Sequence, residues 1–252
     1  MHNSPLLLTN LVNFLARTFA VDRYPAHEQG GVHHPSNRPV QRLGLAVEPF
    51  PDLANWIADN QLDALWLHRP WKLDLATLPP DMGVVYNHLP FDEHLTMGYN
   101  RPLASLLGAT GTPEPLGFKQ ATHDTGEPLP QRAIGMILDA EPQPVDDWLG
   151  QLETHFGGYD RFEAGRQTTA GRIAVVGAMN DTLVREAAER GAGLYLTGQY
   201  RPSAQTAVDE TGIAILALGH HRTEVWGVCA LADLLREEWP GVEFVTRASC
   251  PL

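Results

Sequence analysis

Cysteine is scarce in this chain of 252 residues, which contains only Cys229 and Cys250. Two cysteines near one end of the sequence are too few for a disulfide framework, and this scarcity points to a reducing compartment, which we take to be the cytoplasm. Long apolar runs are also missing, because no segment approaches the ~20 apolar residues of a membrane-spanning helix. The apolar residues 6–8 follow no basic region, so we expect no secretory signal.

Positive charge is in short supply as well. The chain has 18 Lys and Arg against 30 Asp and Glu, a formal net charge of −12. No basic surface is therefore expected to attract nucleic acid or an anionic membrane, and a metal cation suits this charge better. The length allows one large domain or two small ones, and either can bury a substantial core.

Two short apolar runs end in histidine. The run 64–67 is too short for a helix and is stopped by proline after Arg69, so we predict a buried strand that ends at His68. The run 83–87 is followed in the same way by His88, and Asp92 comes four residues later. Ligands in open α/β sheets collect outside the carboxyl ends of the strands. Both histidines are therefore expected to point at such a crevice.

The order of predicted elements repeats along the chain. A helix over 5–20 precedes the first set, which has strands at 44–48, 64–67 and 83–87 and helices at 51–59 and 101–107. The second set has strands at 172–177, 194–197 and 213–217 and helices at 181–190, 202–210 and 225–238. The pattern predicts an α/β fold with two similar β-α-β-x-β-α halves, residues 1–109 and 171–252, that form layered sheets with helices. Residues 110–170 are predicted to be a small strand-helix insertion, with a strand at 134–138 and a helix at 145–156.

Aligning the two halves matches His88 with His220 and Asp92 with Glu224, so each half supplies a His-x-x-x-acid pair. Imidazole and carboxylate are common ligands of divalent metals, and His68 adds a fifth candidate. The competing interpretation of each pair is a strand-capping histidine beside a solvated acid. The matching positions favour a metal site made of five residues: His68, His88, Asp92, His220 and Glu224.

Other histidines are weaker candidates. His94 and His221 lie beside proposed ligands and are interpreted as groups that orient them. His33 and His34 fall in the aperiodic segment 22–39, which is predicted to be a loop. They are expected to be exposed to solvent, with the alternative that the loop folds over the site.

At these residues the chain resembles the Nif-three-like dinuclear metal-centre family, whose members are often named GTP cyclohydrolase I type 2 homologues. Residues 67–70 resemble its His-His-Pro motif, residues 88–92 its His-Thr-Asn-x-Asp motif, and residues 219–224 its Gly-His-x-x-Ser/Thr-Glu motif. Residues 45–51 resemble its Leu-Asp-x-Thr strand. The resemblance implies two divalent metals held between two similar, intertwined α/β halves. Mixed histidine and carboxylate sites do not select strongly among metals, so Zn, Fe, Mn or Ni is expected. The resemblance also implies a homo-oligomer, a toroidal hexamer.

Three positions depart from the family pattern. Arg69 replaces the second histidine of His-His-Pro and cannot ligate a metal, because guanidinium stays protonated. Gln199 stands at the position of an acid, and Ser203 at the position of a histidine. Arg69 and Gln199 are therefore assigned to substrate binding or to support of the ligands. His221, which lies beside the proposed ligand His220, is assigned to the same group. Arg69 is predicted to lie close to Asp92 or Glu224 and to reduce the site to about one ion per chain. The alternative is that it turns to solvent while His94 or His221 completes two sites.

These features favour a metal-dependent hydrolase, similar to GTP cyclohydrolase type 2, that acts on a nucleotide-like or other small substrate. A second hypothesis is a metal-binding or regulatory ring protein without turnover. A third is a structural ring that has lost its metal. The sequence identifies no catalytic residue and no particular substrate.

Overall fold

The computed structural model describes residues 5–250. It confirms an α/β fold with two mixed sheets and surrounding helices. The chain forms two compact units, each built on one sheet. The described part of the first unit comprises residues 5–91, 121–130 and 228–250, and that of the second comprises residues 92–120 and 131–227.

The sheet of the first unit has five strands in the order β1-β4-β3-β2-β11. These strands are β1 (Gly31–His34), β2 (Arg42–Ala46), β3 (Ala64–Leu67), β4 (Gly83–Tyr86) and β11 (Glu243–Thr246). All neighbours are parallel except β1, which pairs antiparallel with β4 at the edge. Every residue of β3 is buried, as expected for a parallel strand that is covered on both faces. Helix α1 (Leu8–Thr18) packs on β1 and β4, and α2 (Leu53–Asp59) connects β2 to β3.

The prediction that 22–39 is a loop is wrong for residues 31–34, which form β1. Edge pairing with β4 holds this segment, although it has no alternation of apolar and polar residues. Such a strand depends on a partner about 50 residues away in sequence, and local patterns carry little information on it.

The sheet of the second unit has six strands in the order β5-β6-β8-β9-β10-β7. These are β5 (Glu114–Lys119), β6 (Arg132–Pro144), β7 (Arg161–Glu163), β8 (Thr169–Val176), β9 (Leu194–Thr197) and β10 (Ala214–Ala217). Its helices are α4 (Arg101–Leu106), α5 (Val145–Phe156), α6 (Asp181–Glu189) and α7 (Gln205–Thr211). Successive residues of β9 enter different apolar clusters, Leu194 and Leu196 with Trp148 on one face and Tyr195 with Leu183 on the other. This sheet therefore has an apolar core on both faces.

The two sheets share one strand order. From the antiparallel edge inward the first reads β1-β4-β3-β2, and the second reads β7-β10-β9-β8. The repeated order extends the similarity expected from the sequence to the edge strands. The division into residues 1–109, 110–170 and 171–252 stays a prediction, because compact units and repeated halves are different ways to divide a chain.

Two further helices, α3 (Leu89–Leu95) and α8 (His220–Glu238), follow β4 and β10. Cys229 lies buried in α8, as expected, but it forms a disulfide with Cys250. The interpretation that two cysteines near one end point to reduced thiols is therefore corrected. After Glu238 the chain turns and returns through β11, which brings the Cα atoms of the two cysteines within 5.5 Å of each other. Among the described helices, none combines the length and the apolar content that crossing a bilayer requires.

Candidate metal centre

His68 lies at the end of β3 and is fully buried. Its backbone N–H donates to the carbonyl of Ala46 at 3.2 Å, which continues the pairing with β2. Its Nδ1 atom lies 3.0 Å from the carbonyl oxygen of Asn87. A carbonyl oxygen only accepts, so Nδ1 carries the proton and Nε2 presents its lone pair. Nε2 of His68 is therefore suited to ligate a metal.

His88 and Asp92 approach the same point. His88 immediately precedes α3, and Asp92 lies one turn later on the same side of the helix. Ligand atoms of His68, His88 and Asp92 all lie within 4.8 Å of one another. Two nitrogen or oxygen ligands at about 2.0–2.2 Å from one ion lie up to roughly 4.4 Å apart, so small side-chain rotations suffice. This donor set fits a divalent ion and leaves coordination positions open for other groups.

Asn87 supports the candidate ligand His68 through its backbone carbonyl, and its own side chain is fixed by two hydrogen bonds. This role was not predicted from the sequence. The Oδ1 atom of Asn87 accepts from Nε1 of Trp66 at 3.2 Å, and its Nδ2 donates to the carbonyl of Gln29 at 3.2 Å. Asn87 and Trp66 are 3 % and 0 % exposed. The ring of Phe91 packs on both Trp66 and His68, with centroids 4.9 and 4.8 Å apart. The only available signal was an asparagine between an apolar strand and a histidine.

A row of aromatic rings borders His88. Trp71 contacts the rings of His88 and Tyr86 in edge arrangements with centroid distances of 5.9 and 5.3 Å. His33 makes a similar contact with Tyr86 at 6.0 Å. Trp71 is 57 % exposed, so much of its ring faces solvent. Trp71 was not among the site residues predicted from the sequence.

His33 and His34 lie on β1, next to β4, and not in an exposed loop. Partial burial and the neighbouring His34 lower the pKa of His33. The Nδ1 atom of His34 lies 2.8 Å from the carbonyl oxygen of Met82. Both rings are half-buried, which contradicts the expected exposure to solvent.

The second predicted pair also forms. The Nε2 atom of His220 lies 3.0 Å from Oε1 of Glu224, and Nδ1 of His221 lies 3.8 Å from Oε2 of the same carboxylate. Glu224 is fully buried, whereas both histidine side chains are exposed. Counted from the strand ends, His88 is the second residue after β4 and His220 the third after β10. The two pairs thus keep the same spacing but differ by one residue in position. Their joint role in metal binding stays a prediction.

Arg69 forms an ion pair that the sequence interpretation did not name. Its Nε lies 3.7 Å from Oε2 of Glu48, and its side chain is 22 % exposed. Its predicted approach to Asp92 or Glu224 stays a prediction. Gln199, which follows β9, is exposed, and its carbonyl accepts from the hydroxyl of Thr197 at 3.5 Å.

An α/β fold with one strand order in both sheets, and with a His-His-Asp cluster at two neighbouring strand ends, defines a class of candidate metal-binding proteins. The Duf34/NIF3 (NGG1p interacting factor 3) family matches residues 6–250, and the chain belongs to this family. This confirms the resemblance seen in the motifs.

Several known proteins are similar over nearly their whole length. A GTP cyclohydrolase 1 type 2 homolog of Pyrococcus abyssi is 28 % identical over 248 residues, which covers 91 % of this chain and 93 % of that protein. A protein of the same name from Neisseria meningitidis serogroup B is 29 % identical over 246 residues, with coverage of 92 % and 94 %. The structures of TTHA1606 from Thermus thermophilus and of reduced HcgD from Methanocaldococcus jannaschii both match with a TM-score of 0.71. They are 22 % and 17 % identical, cover 97 % and 96 % of this chain and are themselves covered to 98 %. At these identities the likeness shows the fold.

Proposed function

We propose that this protein is a metal-dependent hydrolase, similar to GTP cyclohydrolase type 2, that acts on a nucleotide-like or other small substrate. The observation that carries the proposal is the convergence of His68, His88 and Asp92 within ligand distance. The names of the full-length relatives support it.

The chemistry of the proposal follows from the donor set. A divalent ion, when bound, acts as a Lewis acid and lowers the pKa of a coordinated water. His68 and His88 would hold it through imidazole nitrogens, and Asp92 would supply a carboxylate oxygen. Mixed nitrogen and oxygen sites accept Zn, Fe, Mn or Ni, and we propose one or two ions per chain. His220 and Glu224 are proposed as further ligands, with Arg69, Gln199 and His221 as substrate-binding or supporting groups.

The aromatic row favours a substrate with a planar ring. Trp71 is the most exposed member of the row and contacts His88 directly. Stacking of a nucleic-acid base on an aromatic side chain is worth about 1–3 kcal/mol. A nucleotide-like substrate can therefore place its base on Trp71 and its reacting group near the candidate ligands.

The proposal is tested by metal analysis of protein purified without added metal, followed by a hydrolase substrate panel with and without chelator. His88→Ala is the test variant, and His123→Ala, at an exposed position, is the matched control. Turnover that is lost with chelator and in His88→Ala, but kept in His123→Ala, supports the proposal. Bound metal without turnover would favour the second hypothesis, a metal-binding or regulatory ring protein. Absence of both would favour a structural ring.

We also propose that the chain assembles into a homohexamer in the cytoplasm and that neither nucleic acid nor a membrane is a partner. The family membership supports the assembly, and the net charge of −12 supports the absence of those partners. Light scattering should give a mass several-fold above the 27.7 kDa of one chain. A monomer at micromolar concentration would contradict the hexamer.

A further inference from the structure

A buried ion pair lies next to Asp92. Nε of Arg132, at the start of β6, donates to Oε2 of Glu93 at 2.7 Å. The two side chains are only 6 % and 8 % exposed. Glu93 is the neighbour of Asp92 in α3.

Stability alone does not explain such a pair. The cost of removing two charges from water often equals or exceeds their attraction, so buried ion pairs add little net stability. A guanidinium and a carboxylate satisfy each other only in a narrow range of orientations, so this pair restrains the position of Glu93 against β6. Successive residues of an α-helix point about 100° apart, so Glu93 can contact β6 while Asp92 keeps the side it shares with His88.

The backbone of Asp92 is also held from the other end of its turn. Its carbonyl accepts from the hydroxyl of Thr96 at 2.8 Å, and the carbonyl of Thr96 accepts from Nδ2 of Asn100 at 2.8 Å. Asn100 is fully buried. With the ion pair, these bonds fix the turn of α3 that carries Asp92 on two sides.

We infer that Arg132 is a positioning residue that, through Glu93, sets the carboxylate of Asp92 in the cluster with His68 and His88. The inference rests on the proposed function only in so far as this cluster binds a divalent ion. Arg132 does not contact the ligands directly, and it also neutralises the buried carboxylate of Glu93 in the turn that carries Asp92. Neither Arg132 nor Glu93 was a candidate from the sequence, because the two residues are 39 apart and no local pattern links them.

The test measures binding of Zn²⁺ and Mn²⁺ by calorimetry with a competing chelator, and the thermal midpoint of the metal-free protein. Loss of groups that orient metal ligands typically costs about 10–100-fold in affinity, and we expect that loss in Arg132→Met. Arg132→Lys, which keeps the charge, should regain part of it. The matched control is Arg172→Met, which breaks exposed ion pairs with Glu114 and Asp139 in the same unit. It should lower the thermal midpoint and leave metal affinity unchanged.

The double variant Glu93→Gln/Arg132→Met separates positioning from charge. If Arg132 positions Asp92, the double variant stays weak in metal binding, because the contact with β6 is still lost. Full recovery of affinity would show that an uncompensated carboxylate caused the loss and would overturn the inference. Metal affinity of the wild-type value in folded Arg132→Met or Arg132→Lys would also overturn it while leaving the proposed function intact. A wild-type protein that binds neither ion would overturn both proposals.

Discussion

Breaking the disulfide between Cys229 and Cys250 should lower the free energy of unfolding by about 3 kcal/mol. The bond joins residues 21 apart in sequence. The chain-entropy relation for a loop of that size gives roughly 3 kcal/mol at 25 °C, because the cross-link restricts the unfolded chain. In a protein of this size, 1 kcal/mol moves the thermal midpoint by about 2–4 °C, so the midpoint should fall by about 6–12 °C.

The assay is calorimetry of the wild type and Cys250→Ser, each with and without reductant. Cys250 is the better position to change because Cys229 is buried in α8, where a substitution would add a packing loss. The variant should match the reduced wild type and should not respond to reductant. Two free thiols per chain, titrated in denaturant without reductant, would refute the reasoning. So would a wild-type midpoint that reductant leaves unchanged.

Three other predictions concern single side chains. Arg69→His should raise the bound divalent ions, measured by mass spectrometry, from about one per chain or fewer toward two. Two tightly held ions in the unmutated protein would contradict the argument from Arg69. Asn87→Leu removes the acceptor of the buried Nε1–H of Trp66. The free energy of unfolding, measured in urea, should fall by about 1–3 kcal/mol. An unchanged urea midpoint would contradict this prediction. Burial and His34 lower the pKa of His33 from 6.5 in the folded state, so the folded protein binds fewer protons there than the unfolded chain. Stability should therefore fall as the pH drops below 6.5 toward the folded pKa, and His33→Gln should lose less stability between about pH 7 and 5, as read from urea midpoints.

The central parallel strands were predictable because burial on both faces gives continuous apolar runs. Residues 64–67 and 194–197 form β3 and β9 with the predicted bounds. The run at 213–217 is β10 with its first residue removed. Helices were predicted with larger errors, since α8 begins at His220 and not at residue 225. The first turn of α8 is polar, so its apolar period starts only after Glu224.

The edge strands were not predictable in the same way. Strands β1, β5, β7 and β11 lie at the edges of the two sheets, where one side of the backbone has no partner strand among the described residues. Their side chains are mostly polar or half-buried, and their pairing depends on strands far away in sequence. The disulfide was missed for the same reason. It needs β11 to return beside β2, and nothing near Cys250 indicates that pairing.

Residue identity predicts some properties of the candidate site, and others depend on the folded backbone. Alternation along the chain sends neighbours at a strand end to opposite sides, so a histidine followed by an arginine predicts two different environments. In the structure His68 is fully buried against the carbonyl of Asn87, whereas Arg69 is partly exposed beside Glu48. A carbonyl group is present at every residue, and therefore no sequence pattern shows which one will set the tautomer of His68. The sequence specifies that the ligand is an imidazole. The tautomer that leaves Nε2 able to bind a metal is set by the backbone carbonyl of Asn87, which follows β4.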